Sequence, residues 1–389
     1  MLRSDHVVRL LGGTLLGRLP NGMAPLAILL LVQHHGGTLA LGGFLCALYG
    51  LTSAVGQPVL GRLVDRHGQT LATGTAVVLT TAALLTLPLT RPSTHSSTAT
   101  TLVVLAGLTT PPLEAGLRAL WPCVLADPGQ RRAALAIDTG CQGLIYIAGP
   151  PLTVMLAHAF SAGIALAASA LAGLVGAVIV LTARPSRAWK PTSRRTSLLG
   201  PLQSMGLRRL FTALSGVGFA LGALTIWSVD AADRHHAPWL SGIAPGALSV
   251  GSILAGALLA RRPLPGAPSA QLLCAAAAFA GSWVPLLADP APWATVATML
   301  APGMALTPLI TGAFLTTESL APPGVRTEAY AWLIAAVGTG QAAGTAFTGL
   351  TAAHGTRTCA ALPAVGALFT AVLLIASRHR LRFRPDNSL

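Results

Sequence analysis

Charge is what this chain of 389 residues has least of. Only 9% of its residues are charged, against about 25% in a soluble domain. Acidic side chains number 11, and lysine occurs once, as Lys190. A chain so poor in charge cannot clothe a globular surface for water. That excludes an ordinary soluble enzyme, a disordered tail and a nucleic-acid-binding domain. No Gly-rich loop ends in Lys-Ser or Lys-Thr, so a P-loop nucleotide motor is excluded too. A Schiff-base cofactor would have to use Lys190, which sits in a polar stretch. The five cysteines (Cys46, Cys123, Cys141, Cys274, Cys359) are odd in number and form no CxxC pair. They read as small apolar helix residues, neither disulfides nor a metal site. HExxH, GxSxG and paired carboxylates are missing, so neither an enzyme nor a cofactor is expected. The pairs His34-His35 and His235-His236 lack the further ligands that a metal needs.

What the chain does have is apolar length. Hydrophobic residues make up 53% of it. A bilayer core about 30 Å thick takes about 20 apolar residues of helix. Twelve such runs can be placed, near 8–32, 38–60, 70–90, 99–122, 134–158, 161–183, 207–230, 240–260, 269–288, 293–317, 327–352 and 358–377. They are continuous and Leu/Ala-rich, unlike the ten-residue alternation of a membrane barrel. The first run is long and has no small-residue cleavage site, so it is expected to be retained as a helix.

The basic residues order these runs. With the N-terminus in the cytoplasm, 20 of the 25 fall in inner segments. Three (Arg91, Arg234, Arg357) fall in outer ones, and Arg18 and Arg118 lie within runs. This is the positive-inside asymmetry. It implies a multi-pass protein of the cytoplasmic (inner) membrane with both termini cytoplasmic. It also accounts for a net charge of +14 by contact with anionic membrane lipids, without nucleic acid.

The longest polar stretch, 184–206, divides the chain into 1–183 and 207–389, with six runs each. The halves match weakly at one offset of 195 residues. Pro128-Gly129 falls on Pro323-Gly324, Arg131 on Arg326, Gly56 on Gly251 and Arg66 on Arg261. One offset linking separate segments indicates an internal repeat, a mark of secondary transporters. The expected fold class is therefore an all-α membrane protein of twelve transmembrane helices in two pseudo-symmetric six-helix bundles.

After the second run the sequence reads Gly61-Arg62-Leu63-Val64-Asp65-Arg66-His67-Gly68. This resembles the helix 2–3 loop signature of the major facilitator superfamily: Gly, three residues, Asp-Arg, one residue, Gly. The resemblance extends over the whole chain and is to exporter-like members. It implies that Asp65 meets the N-terminal end of helix 11, where a carboxylate is favoured. It also implies that the loop, with Gly61, Arg66 and Gly68, biases the transport cycle. The second copy is degenerate, since Asp65 falls on Ala260 and Gly68 on Pro263. Gly149-Pro150 in the fifth run resembles the Gly-Pro core of the superfamily's antiporter signature, although the flanking glycines do not fit fully. The helix 4 arginine signature of drug/proton antiporters is absent, so no proton-relay role passes to Arg118.

Ionisable residues at bilayer depth are costly, and they mark candidate sites. Arg18 lies near the middle of the first run, with Asn21 and Pro25 on its face. Glu114 and Arg118 are spaced i, i+4 on the fourth and stack. Two readings stay open. They line a cavity that binds a polar or anionic part of the substrate, with Glu114 taking up protons, or they form a static ion-pair lock. Asp138, Gln142 and Tyr146 share a face of the fifth run. Asp138, about a turn and a half from its entry, is expected to pair with Arg131 or Arg132 at the gate; the other reading keeps it, with Gln142, as a substrate or proton contact. Asp230 is expected to reach water at its helix end. Glu318, Arg326 and Glu328 suit a gate or a solvated loop, and Trp332 and Gln341 packing or a place at the cavity. Gly338–Ala343 imitates a dinucleotide loop, but small residues for close helix packing explain it better.

The leading expectation is a monomeric secondary transporter working by alternating access. Its partners would be a small-molecule substrate, a small amphipathic compound by preference, and protons as coupling ion, in export over uptake. The alternatives are an uptake symporter, a receptor-like protein that has lost transport, and a membrane enzyme.

Overall fold

The computed structural model describes residues 6–90, 96–189, 200–237, 239–262, 268–322, 325–351 and 356–379. Residues 190–199 of the expected linker, and Pro263, Pro323 and Gly324 of the repeat, lie outside these. The described residues form no strand. They form α1 (Val7–His34), α2 (Leu39–His67), α3 (Gln69–Thr86), α4 (Ser96–Leu108), α5 (Leu113–Val124), α6 (Pro128–Ala159) and α7 (Ala162–Leu181). After these come α8 (Arg184–Arg187), α9 (Met205–Arg234), α10 (Leu240–Arg261), α11 (Pro268–Ser282), α12 (Pro292–Leu320), α13 (Arg326–Thr351) and α14 (Thr356–Ala376). Short 3-10 turns extend α3 and α11. Ten helices are long and apolar enough to cross a membrane. With α13 and the pair α4/α5 they fill the twelve expected positions. The fourth is the exception to the expected pattern: one run, 99–122, folds as two helices.

Short polar residues start several helices. Thr38, Ser161 and Ser204 each accept a hydrogen bond from the backbone N–H three residues on, satisfying a donor that the first turn leaves open. Asp127 caps α6 through Gly129 N and Gln130 N, ahead of Pro128 at the first helical position.

Two boundaries depart from the apolar count. The signature Gly61–His67, expected as a loop, is the last two turns of α2. Only Gly68 leaves the helix, with φ +92°, a conformation that a Cβ disfavours. Likewise α6 begins at Pro128, so Asp138 lies ten residues into its helix rather than a turn and a half. In both places polar helix continues beyond the apolar run, which a count of apolar residues cannot register.

Contacts divide the chain into two compact units. The first is Met1–Arg131 with Cys141–Arg194 and Tyr330–Ala335; the second is Arg132–Gly140, Arg195–Ala329 and Ala336–Leu389. In the first, α1 lies against α7 and α2 against α4. In the second, α9 lies against α14 and α10 against α12. Glycines set these distances: a Cβ on Gly176 would meet the backbone of Gly17, and one on Gly216 the carbonyl of Gly366. Gly340, from the dinucleotide look-alike, rests on the Ser215 carbonyl of α9. Close approach of this kind replaces the hydrophobic effect as the packing principle where the surroundings are lipid. The outward faces are correspondingly apolar, with Leu71, Val78, Leu254 and Val372 exposed.

Candidate functional site

The break between α4 and α5 organises the first unit's polar centre. Pro111 and Pro112 have no N–H, and each disfavours helix in the residue before it. The sequence Thr109-Thr110-Pro111-Pro112 therefore interrupts the helix inside its apolar run. Side chains take up the freed backbone groups, as an apolar medium requires. Gln57 Nε2 on α2 donates to Thr110 O at 3.2 Å. Thr109 Oγ1 donates to Leu105 O at 2.7 Å and Thr110 Oγ1 to Ala106 O at 3.0 Å. Thr80 of α3 meets Thr109, hydroxyl to hydroxyl, at 2.8 Å.

The break gives α5 its own N-terminus, with Glu114 in its first turn. A carboxylate is favoured there by the helix dipole. Its two oxygens are shared between two arginines: Arg18 Nη2 lies 2.6 Å from Oε2 and Arg118 Nη1 2.5 Å from Oε1. Arg18, Glu114 and Arg118 are 3%, 9% and 1% exposed. Removing three charges from water costs several kcal/mol each, and their attraction and hydrogen bonds offset this only when geometry is good. The i, i+4 pair was legible in the sequence; its junction with Arg18, 96 residues away, comes from the fold.

The other candidates are spread around this trio. Asn21, exposed one turn beyond Arg18, joins it in lining a narrow cleft with Tyr49, Thr80, Thr81 and Thr110. Nothing in the sequence marks these last four, hydroxyl residues within apolar runs; the Pro-Pro pair is the one available signal. Tyr146 stands beside Gln142 and within electrostatic range of Arg18 and Glu114. Gly149, ahead of Pro150, packs against Gly22 of α1. Asp138 is fully buried in the α6 stretch that clusters with the second unit. Arg131, one of its expected partners, directs its guanidinium to the carbonyls of Leu125 and Ala126 at 2.7 and 2.9 Å. In the signature, Asp65 is 5% exposed, while Arg66 is exposed and Gly61 and Gly68 are buried.

A second ionic group lies at the far end of α9. Asp230, expected to reach for water, has its side chain 25% exposed and also holds Arg234 Nε at 3.0 Å. Arg234 Nη1 continues to Asp289 at 2.5 Å, and His235 Nε2 lies 3.4 Å from the same carboxylate. Desolvation raises the Asp289 pKa, but hydrogen bonds and charge from Arg234 and His235 outweigh it and hold the carboxyl below its usual range. Among the described residues no group of His, Cys, Asp or Glu could hold a metal.

The sequence matches the family model described as Major Facilitator Superfamily over residues 10–327. No curated protein matches it. Among solved structures, the fold resembles a bacterial homologue of the iron transporter ferroportin, in an outward-facing state with soaked iron. The TM-score is 0.71 and the identity 14%, over 95% of this chain and 98% of that one. It resembles equally the human organic anion transporter MFSD10 (TETRAN), with TM-score 0.71 and 16% identity over 95% and 98% of the two chains. The Gly61–Gly68 signature, the twelve helical positions and the family match agree, and the chain belongs to the Major Facilitator Superfamily of transporters.

Proposed function

We propose that this transporter exports a small amphipathic solute across the cytoplasmic membrane in exchange for protons, and that Glu114 carries the proton. The buried trio is the observation behind this reading. A carboxylate held between two buried arginines is freed to exchange a proton when one partner moves or when cargo competes for an arginine. The Gly149-Pro150 pair, seated against α1, supports export over uptake. The basic asymmetry supports cytoplasmic termini. Iron and organic anions are the cargoes named for the two similar structures, so this fold does not choose a cargo.

The rival reading is a static lock, in which the trio stays paired throughout the cycle. Glu114→Gln separates the two. Purified protein in liposomes carrying an internal pH dye would be challenged with a panel of amphipathic solutes. A proton carrier so altered keeps solute binding and loses both solute-triggered proton flow and gradient-driven accumulation. A static lock so altered folds poorly, because it leaves arginine charge buried without its carboxylate. Normal folding with undiminished accumulation against a gradient rejects both roles and moves attention to Asp138.

A further inference from the structure

Three polar side chains of the first unit lie at mid-span and are open. Asn21 sits midway along α1 (Val7–His34), and Gln142 and Tyr146 midway along α6 (Pro128–Ala159). Asn21 is exposed, Gln142 is half-buried and Tyr146 is 48% exposed. The two helices meet at Gly22: a Cβ there would strike the Ile145 carbonyl, and one on Gly149 the backbone of Gly22. Asn21 and Tyr146 thus flank one close contact. They stand on the same side of it, because Arg18, one turn from Asn21 on its face, lies within electrostatic range of Tyr146. Lipid offers an accessible amide no hydrogen bond, so this face opens on water or on a solute. Among the described residues nothing pairs with the Asn21 amide. Tyr146 and Gln142 are hydrogen-bonded through their side chains, which uses one of the two groups of the Gln142 amide. The face carries no charge of its own. Arg18, Glu114 and Arg118 beside it are at most 9% exposed and hold one another, and both arginines have further partners. What remains to meet a solute is one open amide, half of a second, and the side of a phenol ring.

We propose that this face binds the transported solute and that the solute is a neutral ring compound bearing an amide. Its ring lies on Tyr146, and its amide pairs with Asn21, each donating to the other. An amide matches the donor and the acceptor of an asparagine side chain together. A charged solute would give up its water with no opposite charge left to meet it. The inference rests on the export reading above in taking the bound compound as cargo.

The test compares naphthalene carboxamide with its charged counterparts, naphthoate and naphthylmethylammonium. Each is added to the purified full-length protein in detergent, with no gradient present. Binding is read as saturable thermal stabilisation, since a ligand of the folded state raises the melting temperature. The carboxamide should bind about tenfold or more tightly than either ion. Asn21→Leu and Tyr146→Ala should each weaken it about tenfold, while Tyr146→Phe, which keeps the ring, should retain most of the affinity. Both positions are accessible, so the variants should melt as wild type does without ligand. Three results would overturn the proposal: no stabilisation by the carboxamide, equal or tighter binding of either ion, or wild-type carboxamide affinity in Asn21→Leu or Tyr146→Ala. The export reading fails separately. A carboxamide that binds through Asn21 and Tyr146 yet drives no proton flow in liposomes leaves this site standing and removes proton exchange.

Discussion

At the offset of 195 residues, Arg18, Glu114 and Arg118 of the first unit fall on Ala213, Leu309 and Ala313 of the second, all three fully buried. At the same offset Gly56 falls on Gly251, and these two do the same work. A Cβ on Gly56 would strike the Leu108 carbonyl of α4, and one on Gly251 the Leu300 carbonyl of α12. The close packing of helices is thus repeated between the units, while the buried charge is not. The broken helix is not repeated either: α12 carries Pro302 and Pro308 and runs unbroken from Pro292 to Leu320. There Ser252 donates to the Gly303 carbonyl and Thr307 to that of Ser252, so hydroxyls tie helix to helix. At these three positions the second unit therefore closes with apolar residues in place of ions. The trio in the first unit is an addition to the repeated packing, which is what a functional group looks like.

The sharpest way to break this comparison is to write the second unit's residues into the first. Glu114→Leu alone leaves two arginines without their shared carboxylate and should cost about 3–5 kcal/mol, read as lost folded yield in detergent. Arg18→Ala, Glu114→Leu and Arg118→Ala together reproduce Ala213, Leu309 and Ala313. That triple variant should recover most of the folded yield, since apolar replacements of buried ion clusters are often neutral or stabilising. It should nevertheless fail to transport in liposomes. Full transport by the triple variant would make the trio a dispensable feature.

A smaller effect tests the part that repeats. Gly56→Ala and Gly251→Ala each push a methyl into a neighbouring carbonyl, and each should cost about 1–3 kcal/mol, as overpacking does. The two losses of thermal stability should agree within error. A cost at one position alone would show that the α2–α4 and α10–α12 contacts are not equivalent.

The break itself comes next. Pro111→Ala with Pro112→Ala restores two backbone donors and should let helix run through 109–112. Amide hydrogen exchange across Leu113–Arg118 should slow, while solute transport falls about tenfold, roughly 1.4 kcal/mol, as Glu114 turns away from Arg18. Unchanged exchange would show that Gln57 and the threonines, not the prolines, hold the break open.

These residues also show where the sequence was legible. Twelve positions could be read because a bilayer imposes one length on every span, and composition alone meets it. Glu114 and Arg118 could be paired because helix periodicity is local. Arg18 could be flagged by its depth, but its junction with Glu114 depends on how α1 and α5 meet. Pro111-Pro112 is plain in the sequence, but a count of apolar residues gives no weight to a missing N–H. Tyr49, Thr80 and Thr81 carried no signal: a lone hydroxyl in an apolar helix is common, and only a shared cleft distinguishes these. The C-terminal end of α2 and the start of α6 lie beyond their apolar runs, because helix propensity carries polar residues past the apolar core.

The smallest effect compares the buried trio with the ionic group at the end of α9. The Asp289 side chain is 49% exposed, so solvent screens its pairing with Arg234 and His235, and the stability involved is below about 1 kcal/mol. Its sign is nonetheless fixed. The folded pKa is lowered, so the contribution is present above the unfolded carboxylate value of about 3.9. It is lost as pH falls below that value through the folded pKa. Asp289 also has φ +47°, a left-handed conformation that asparagine tolerates nearly as well as aspartate. Asp289→Asn therefore removes the charge without adding backbone strain. The variant should melt slightly below wild type at pH 7, and the gap should close as acid carries the pH below about 3.9 and through the lowered folded pKa. High salt at pH 7 should narrow the gap, because exposed pairs are screened. A gap that survives both acid and salt would mean that Asp289 acts through shape alone, and that charge stabilises the second unit no more at its surface than in its core.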